Sequence, residues 1–393
     1  MIESAGGDGS LLVGHDIADC IASLTGIEAH LGLGPQSGWR PPRFRQFARL
    51  FVSDRYLSKD LLRRWSPNRN GIELPRLNRL SVLSLLRRRL AGTAYEWPVG
   101  ADAILFAANM RGFYVSPDQV TIKVKGPGRS AAEFREDVQA RRRVAESGLV
   151  DVPAVLEADL SAAQPYVVDQ FVAGRRAHWL KHRAILLNEL VPRFWRMYQA
   201  FGTTLEPCQG WFDIAAITDD LRALPLDPGW TEELQCRGLL VRIMSSMAHH
   251  QDEALVCGFG HGDLSVGNLI VTPDAKLCVV DWELSRRQPI AWDFRKLLLH
   301  VPEVWDRLGV LLENEIRHQG WPDVMQPRRQ LLLSLCAYVA NWDTADGATG
   351  SGAGAPPRRS AVKTRAILSS VCRLVRQASL QFETAGLDAG RSA

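Results

Sequence analysis

The sequence predicts an α+β protein in which a small antiparallel β region precedes a mostly helical one. Three observations carry this. Residues 103–125 alternate in short apolar runs and turns, as strands do. Residues 178–345 space their apolar side chains mostly with helical periodicity. Within that helical stretch lies one polar motif, His261-Gly262-Asp263-Leu264-Ser265-Val266-Gly267-Asn268, followed by two apolar runs and Asp281-Trp282-Glu283.

The motif carries the chemistry. An Asp and an Asn five apart sit on a tight loop, and a second Asp follows thirteen residues after the Asn. The runs Asn268 to Val271 and Leu277 to Val280 flank the turn Thr272-Pro273-Asp274-Ala275-Lys276, so a short hairpin folds Asp281 back beside Asn268. Phosphoryl transfer needs such a set: one carboxylate to orient an attacking hydroxyl, and an amide and a second carboxylate to hold Mg²⁺ on nucleotide phosphates.

His261 to Ile270 followed by Val279-Val280-Asp281-Trp282-Glu283 resembles the signature of the aminoglycoside phosphotransferase and choline kinase-like family, small-molecule kinases with a protein-kinase-like two-lobe fold. Trp292-Asp293-Phe294 resembles the helix start that follows the family's metal Asp, with Phe in place of Ile. The match is close over about 35 residues and looser over 100–345. The resemblance implies ATP and Mg²⁺ as cofactors, Asp263 as catalytic base, and Asn268 and Asp281 as metal ligands. It makes His261 a brace for the loop through hydrogen bonds to backbone or to Asp281. Ser265 would support these residues from behind without touching metal or acceptor, and Glu283 points toward the same metal or outward.

In chain order, residues 1–96 read as a basic, mostly helical N-terminal extension, with Leu80, Leu83, Leu85, Leu86 and Leu90 on a short amphipathic helix ending in Arg87-Arg88-Arg89. Residues 97–172 follow as the smaller lobe. Its strands are Ala103 to Ala108, Phe113 to Val115 and Gln119 to Lys125, with turns at Asn109-Met110-Arg111-Gly112 and Ser116-Pro117-Asp118. In the last strand Val120, Ile122 and Val124 alternate with Thr121, Lys123 and Lys125. Val120-Thr121-Ile122-Lys123 is similar to the kinase Val-Ala-Ile-Lys strand, which makes Lys123 the phosphate-binding candidate and Lys125 the alternative. Glu133 to Ser147 reads as the next helix. Glu136 is chosen as the acid that pins the lysine; Glu133 and Asp137 stay open, and an alignment to the family pattern falls near Asp137 or Gln139.

Asp151 to Leu156 resembles a family strand, and Tyr166 to Gly174 resembles the hinge, where backbone groups of Asp169, Gln170 and Phe171 would meet adenine. No Gly-x-Gly-x-x-Gly precedes Lys123, and Asn109 to Gly112 is the only candidate for a phosphate-covering loop. Residues 173–345 make the helical lobe, with helices at Leu180 to Phe201, Thr231 to His250, Trp292 to Val301, Val304 to Gln319 and Arg328 to Trp342. A flexible Gly/Ala/Ser/Pro linker spans 346–357, and 358–393 holds a last helix and tail. Ile367, Val371, Leu374, Val375 and Ala378 stripe that helix, which reads as docked on the helical lobe.

Composition is that of an ordinary soluble globular protein: 393 residues, 46% hydrophobic and 23% charged. No apolar run reaches the roughly 18 residues a membrane span needs. Met1 to Ser10 is acidic and Gly-rich, unlike a secretory signal. The seven cysteines are scattered without a Cys-x-x-Cys pair, so the expectation is a reducing cytoplasm and neither a disulfide framework nor a zinc site. Residues 40–89 hold fourteen Lys or Arg against three acids, with Trp39 just before them and Phe44, Phe47, Phe51, Tyr56 and Trp65 between them. This reads either as a solvated helical face or as a surface for an anionic ligand or a membrane. Nucleic acid is not predicted.

A protein kinase is disfavoured, because ten residues between Asp281 and Trp292 leave no room for an activation segment. The rival from another class is an inactive kinase-shaped scaffold working through the basic extension.

Overall fold

The computed structural model describes residues 14–33, 43–47, 50–53, 94–106, 112–116, 120–125, 131–340 and 364–375. Two compact units emerge. One comprises residues 1–177 and 267–285, the other 178–266 and 286–393. The polar motif is thus divided in sequence, with Asp263 in the second unit and Asn268 and Asp281 in the first.

The first unit is built on an eight-stranded sheet with every neighbouring pair antiparallel. Its strands are β1 (Arg43–Phe47), β2 (Leu50–Ser53), β3 (Ala94–Glu96), β4 (Ala103–Phe106), β5 (Gly112–Val115), β6 (Val120–Val124), β7 (Val155–Asp159) and β8 (Tyr166–Gln170), in the order β3-β1-β2-β4-β5-β6-β8-β7. Helix α1 (Gly14–His30) lays Cys20, Ile21, Leu24 and Ile27 against one face, among Phe44, Phe51, Ile104, Ile122, Val124 and Val168. Helix α2 (Ala132–Ser147) packs Phe134 and Val138 against Val167, the opposite parity of β8. Two-residue alternation therefore sends Ile122 and Val124 to the α1 side and leaves the lysines to the α2 side. Strand β9 (Arg175–Arg176) joins the hairpin of β12 (Leu269–Val271) and β13 (Leu277–Val279), so the expected hairpin forms.

Three strands correct the helical expectation for residues 1–96. The described part of that segment holds α1 but also β1, β2 and β3, which extend the sheet. Phe44 and Phe51 are buried there, and with Tyr95, Trp97 and Phe106 they form one aromatic cluster. Full burial of an aromatic ring contributes about 1.5–3 kcal/mol, so these rings serve the core and not a ligand surface. The rest of the basic segment, its predicted helix at 80–90, the turn 109–111 and the linker at 346–357 lie outside the described residues.

The second unit is mainly helical: a π-helical turn Leu186–Leu190 leads into α3 (Val191–Phe201), then come α4 (Ile214–Arg222), α5 (Thr231–Met247), α6 (Ile290–Asp293), α7 (Arg295–Leu298), α8 (Val304–Gln319) and α9 (Pro327–Val339). Helix α4 and the small sheet of β10 (Thr204–Pro207), β11 (Ala254–Gly260) and β14 (Arg286–Pro289) were not anticipated. No helix among the described residues is long and apolar enough to cross a membrane.

A last helix, α10 (364–375), buries Ile367, Leu368, Val371, Leu374 and Val375. It is fastened to α5 by the Arg365–Glu233 ion pair (2.7 Å) and by a disulfide between Cys236 and Cys372, whose Cα atoms lie 5.8 Å apart. The disulfide corrects the expectation of unpaired cysteines. Its partners are 136 residues apart, so no spacing motif announces it, and closing so long a loop contributes about 4–5 kcal/mol in the chain-entropy model. Five thiols should titrate in denaturant before reduction and seven after it; seven before reduction would contradict the pairing.

Candidate functional site

In the first unit, one buried cluster of charges gathers around β6. Lys123 Nζ lies 3.2 Å from Asp137 Oδ2 and 3.3 Å from Asp169 Oδ2. Arg141 donates to the same Asp137 oxygen (2.8 Å) and to Asp169 Oδ1 (2.6 Å). All four side chains are almost completely shielded from water. Charges so placed are tolerable only because each has a partner and shares its hydrogen bonds. Burial pulls the Lys123 ammonium down, yet the attraction of Asp137 and Asp169 prevails and holds its pKa above the ordinary lysine value. Burial likewise pushes the Asp137 carboxyl up, and Lys123 and Arg141 more than reverse it, leaving its pKa low.

This geometry decides among the open alternatives. Asp137, not Glu136, is the acid on Lys123; Glu136 is exposed one position away, about 100° around the helix. Lys125 is buried beside the Phe134 ring, 5.4 Å from its centroid, and so belongs to a different environment from Lys123. Asp169 departs from its expected role as well. Its residue pairs with Thr121 on one side and Val155 on the other, and its side chain belongs to the cluster. Gln170 spends its N–H on Ala154 O, and the chain leaves the strand at half-buried Phe171.

The hairpin brings Asn268 and Asp281 together. Asn268 ends a short 3₁₀ turn, and its carbonyl accepts from Val280 N–H at 2.9 Å, one residue before Asp281. Asp281 has a left-handed backbone with φ of 72°, a conformation that Asp tolerates better than most residues. Its carboxylate is close enough to raise the Lys123 pKa. The next N–H, that of Trp282, donates to Asp137 Oδ1 at 3.1 Å. Asp137 thus links β6, α2 and the hairpin. Among the described residues no three His, Cys, Asp or Glu side chains form a closed metal cage. An amide oxygen and a carboxylate fit a hard cation such as Mg²⁺, which takes its other ligands from water and phosphate.

In the second unit, the loop carrying Asp263 is held by Asp293. The N–H groups of His261 and Gly262 donate to the two Asp293 oxygens, each at 2.8 Å, and Tyr198 OH donates to one of them at 2.7 Å. Gly262 has φ of 83°, and a Cβ on Gly260 would stand 2.6 Å from Asp293 Oδ2, so both positions require glycine. Burial, reinforced by Asp293, drives the Tyr198 phenol pKa well above its usual value. Arg295 donates to Gly262 O at 3.1 Å and stacks on Trp292 at 4.0 Å. His261 is fully buried, and its Nδ1 accepts the Asp263 N–H at 3.2 Å, which makes it a brace. Asp263 is half-buried and paired with Lys296 Nζ. Arg141, Arg295 and Lys296 were missed by sequence reasoning.

The pattern of the phosphotransferase enzyme family matches residues 111–329. Among curated proteins none matches the chain. Similar solved structures include an aminoglycoside phosphotransferase from Alicyclobacillus acidocaldarius, 16% identical, covering 72% of this chain and 92% of its own, with TM-score 0.42. An aminoglycoside phosphotransferase from Streptomyces rimosus is 17% identical over 68% of this chain and 100% of its own, with TM-score 0.37. A glucosamine kinase is 13% identical over 69% and 77%, with TM-score 0.43. Likenesses this distant say nothing of the substrate.

Because Asp137 has a depressed pKa, its stabilising effect is present above the ordinary carboxylate value of 3.8 and is lost as pH falls through the folded value. Asp137→Asn should therefore be less stable than wild type at neutral pH, and the gap should narrow as pH falls below about 4. Chemical denaturation across pH 2–7 measures it; a pH-independent gap would contradict the ionised, paired carboxylate.

Proposed function

The chain belongs to the phosphotransferase enzyme family and is a small-molecule phosphotransferase, and from that premise we propose that it transfers the γ-phosphoryl of Mg·ATP to a hydroxyl of a small molecule, glycan or lipid-linked acceptor. The observation that carries this reading is the buried Lys123–Asp137 pair, tied through Trp282 N–H to the hairpin that bears Asp281. A lysine held this way presents a fixed positive charge to phosphate oxygens without needing to be reorganised.

Each residue then has one task. Lys123 binds the α/β-phosphates and Asp137 orients it. Asn268 and Asp281 would hold Mg²⁺, which screens the phosphate charge. Asp263 accepts or orients the proton of the attacking hydroxyl, and the Asp293 and Arg295 contacts on its loop keep that carboxylate in place. His261 braces the loop from below. Backbone groups around Phe171 are left to meet the adenine.

A panel of sugars, aminoglycosides, choline-like amines and glycolipid precursors, screened for phosphoryl transfer from ATP, identifies the acceptor. On that acceptor Asp263→Ala should lower turnover by about a hundredfold or more with an unchanged melting temperature; full activity in the folded variant would contradict its role as base. Mg·ATP should raise the melting temperature of the wild type. Asp281→Ala should abolish the part of that rise that depends on Mg²⁺, and an undiminished rise would remove Asp281 from the metal site.

A further inference from the structure

We propose that Arg141 and Asp169 form a charge-balancing pair that sets how strongly Lys123 is offered to the nucleotide, Arg141 favouring nucleotide binding and Asp169 opposing it. The inference rests on the reading of Lys123 as the phosphate-binding lysine and goes beyond it.

A lysine ammonium has three N–H donors. One carboxylate accepts from it here, Asp137 at 3.2 Å, and a second, Asp169, forms an ion pair with it at 3.3 Å. One carboxylate suffices to orient a lysine, and Asp137 on α2 also accepts Trp282 N–H. Asp169 is the additional one. It comes from the interior of β8, where its neighbours Val167 and Val168 are fully buried. A charge on such a strand needs compensation, and Arg141 supplies it from α2, one turn beyond Asp137. Arg141 also donates to Pro153 O at 3.3 Å, so its guanidinium is anchored at three points.

The four groups carry two positive and two negative charges, and together they are neutral. A polyphosphate approaching Lys123 meets this background. Asp169 competes with it for the ammonium charge and repels it. Arg141, itself 1% exposed, cannot touch the phosphates; it acts by neutralising the carboxylates that would otherwise hold Lys123 back. Arg141 is in this sense a positioning residue and Asp169 a brake on affinity.

A merely structural role for the pair predicts that either substitution weakens binding or leaves it unchanged. Charge balance predicts opposite signs. Calorimetric titration of the full chain with ATP in excess MgCl₂ separates them. Asp169→Asn should bind about threefold tighter or more, Arg141→Met about tenfold weaker, the effect of about 1.4 kcal/mol. The double variant, neutral again, should return to within about threefold of wild type. Should Arg141→Met fail to fold, Asp169→Asn and the double variant carry the test. Asp169→Asn binding no tighter than wild type, or a double variant as weak as Arg141→Met, overturns the proposal. If wild type binds Mg·ATP and Asp281→Ala does not, such a result overturns the pair's role alone. Absence of wild-type binding overturns the nucleotide reading together with it.

Discussion

The ion pair between Lys123 and Asp137 is the interaction on which the first unit's buried charge cluster and hairpin depend. Both groups are buried, so neither can be left alone: removing one partner of such a pair typically costs about 3–5 kcal/mol, because the other charge stays unpaired. Asp137 is also the acceptor for Trp282 N–H, so the position of the Asp281 hairpin is tied to the same carboxylate. Arg141 and Asp169 extend the arrangement to β8. Two strands, one helix and the hairpin are thereby referred to a few carboxylate oxygen atoms.

The second unit uses the same device without a cation at its centre. Asp293 spends both oxygens on backbone N–H groups of the loop before Asp263, and a third bond comes from Tyr198. Alternating glycines at 258, 260 and 262 allow this, because a side chain on Gly260 would occupy the place of the Asp293 carboxylate. In both units a buried acid fixes the backbone beside a half-buried Asp, Asp281 in the first and Asp263 in the second.

Much of this was legible in the sequence, and the failures have physical causes. The β6 alternation and the Asn268–Asp281 hairpin were readable because a two-residue period and a turn leave little choice. Glu136 and Asp137 are separated by helical phase and not by residue type: Asp137 is buried and Glu136 exposed. Phe134, Val138 and Val144 mark the buried stripe of α2, and Asp137 and Arg141 fall on it with i,i+4 spacing; two opposite charges on such a stripe announce a buried pair. Asp169 after Val167-Val168 gave a similar signal. Strands β1 to β3 are three to five residues long, too short for periodicity to separate from the surrounding basic sequence. The Cys236–Cys372 link joins segments that only the folded helices bring together.

The most direct test of the account is nucleotide binding by Lys123→Met, a substitution that keeps the length of the side chain and removes its charge. Titrated with Mg·ATP beside the wild type, and checked for folding by circular dichroism, the variant should lose affinity by about tenfold or more, the scale of one charge-assisted contact. A folded Lys123→Met protein that binds Mg·ATP as tightly as wild type would contradict the assignment of the buried cluster to the nucleotide.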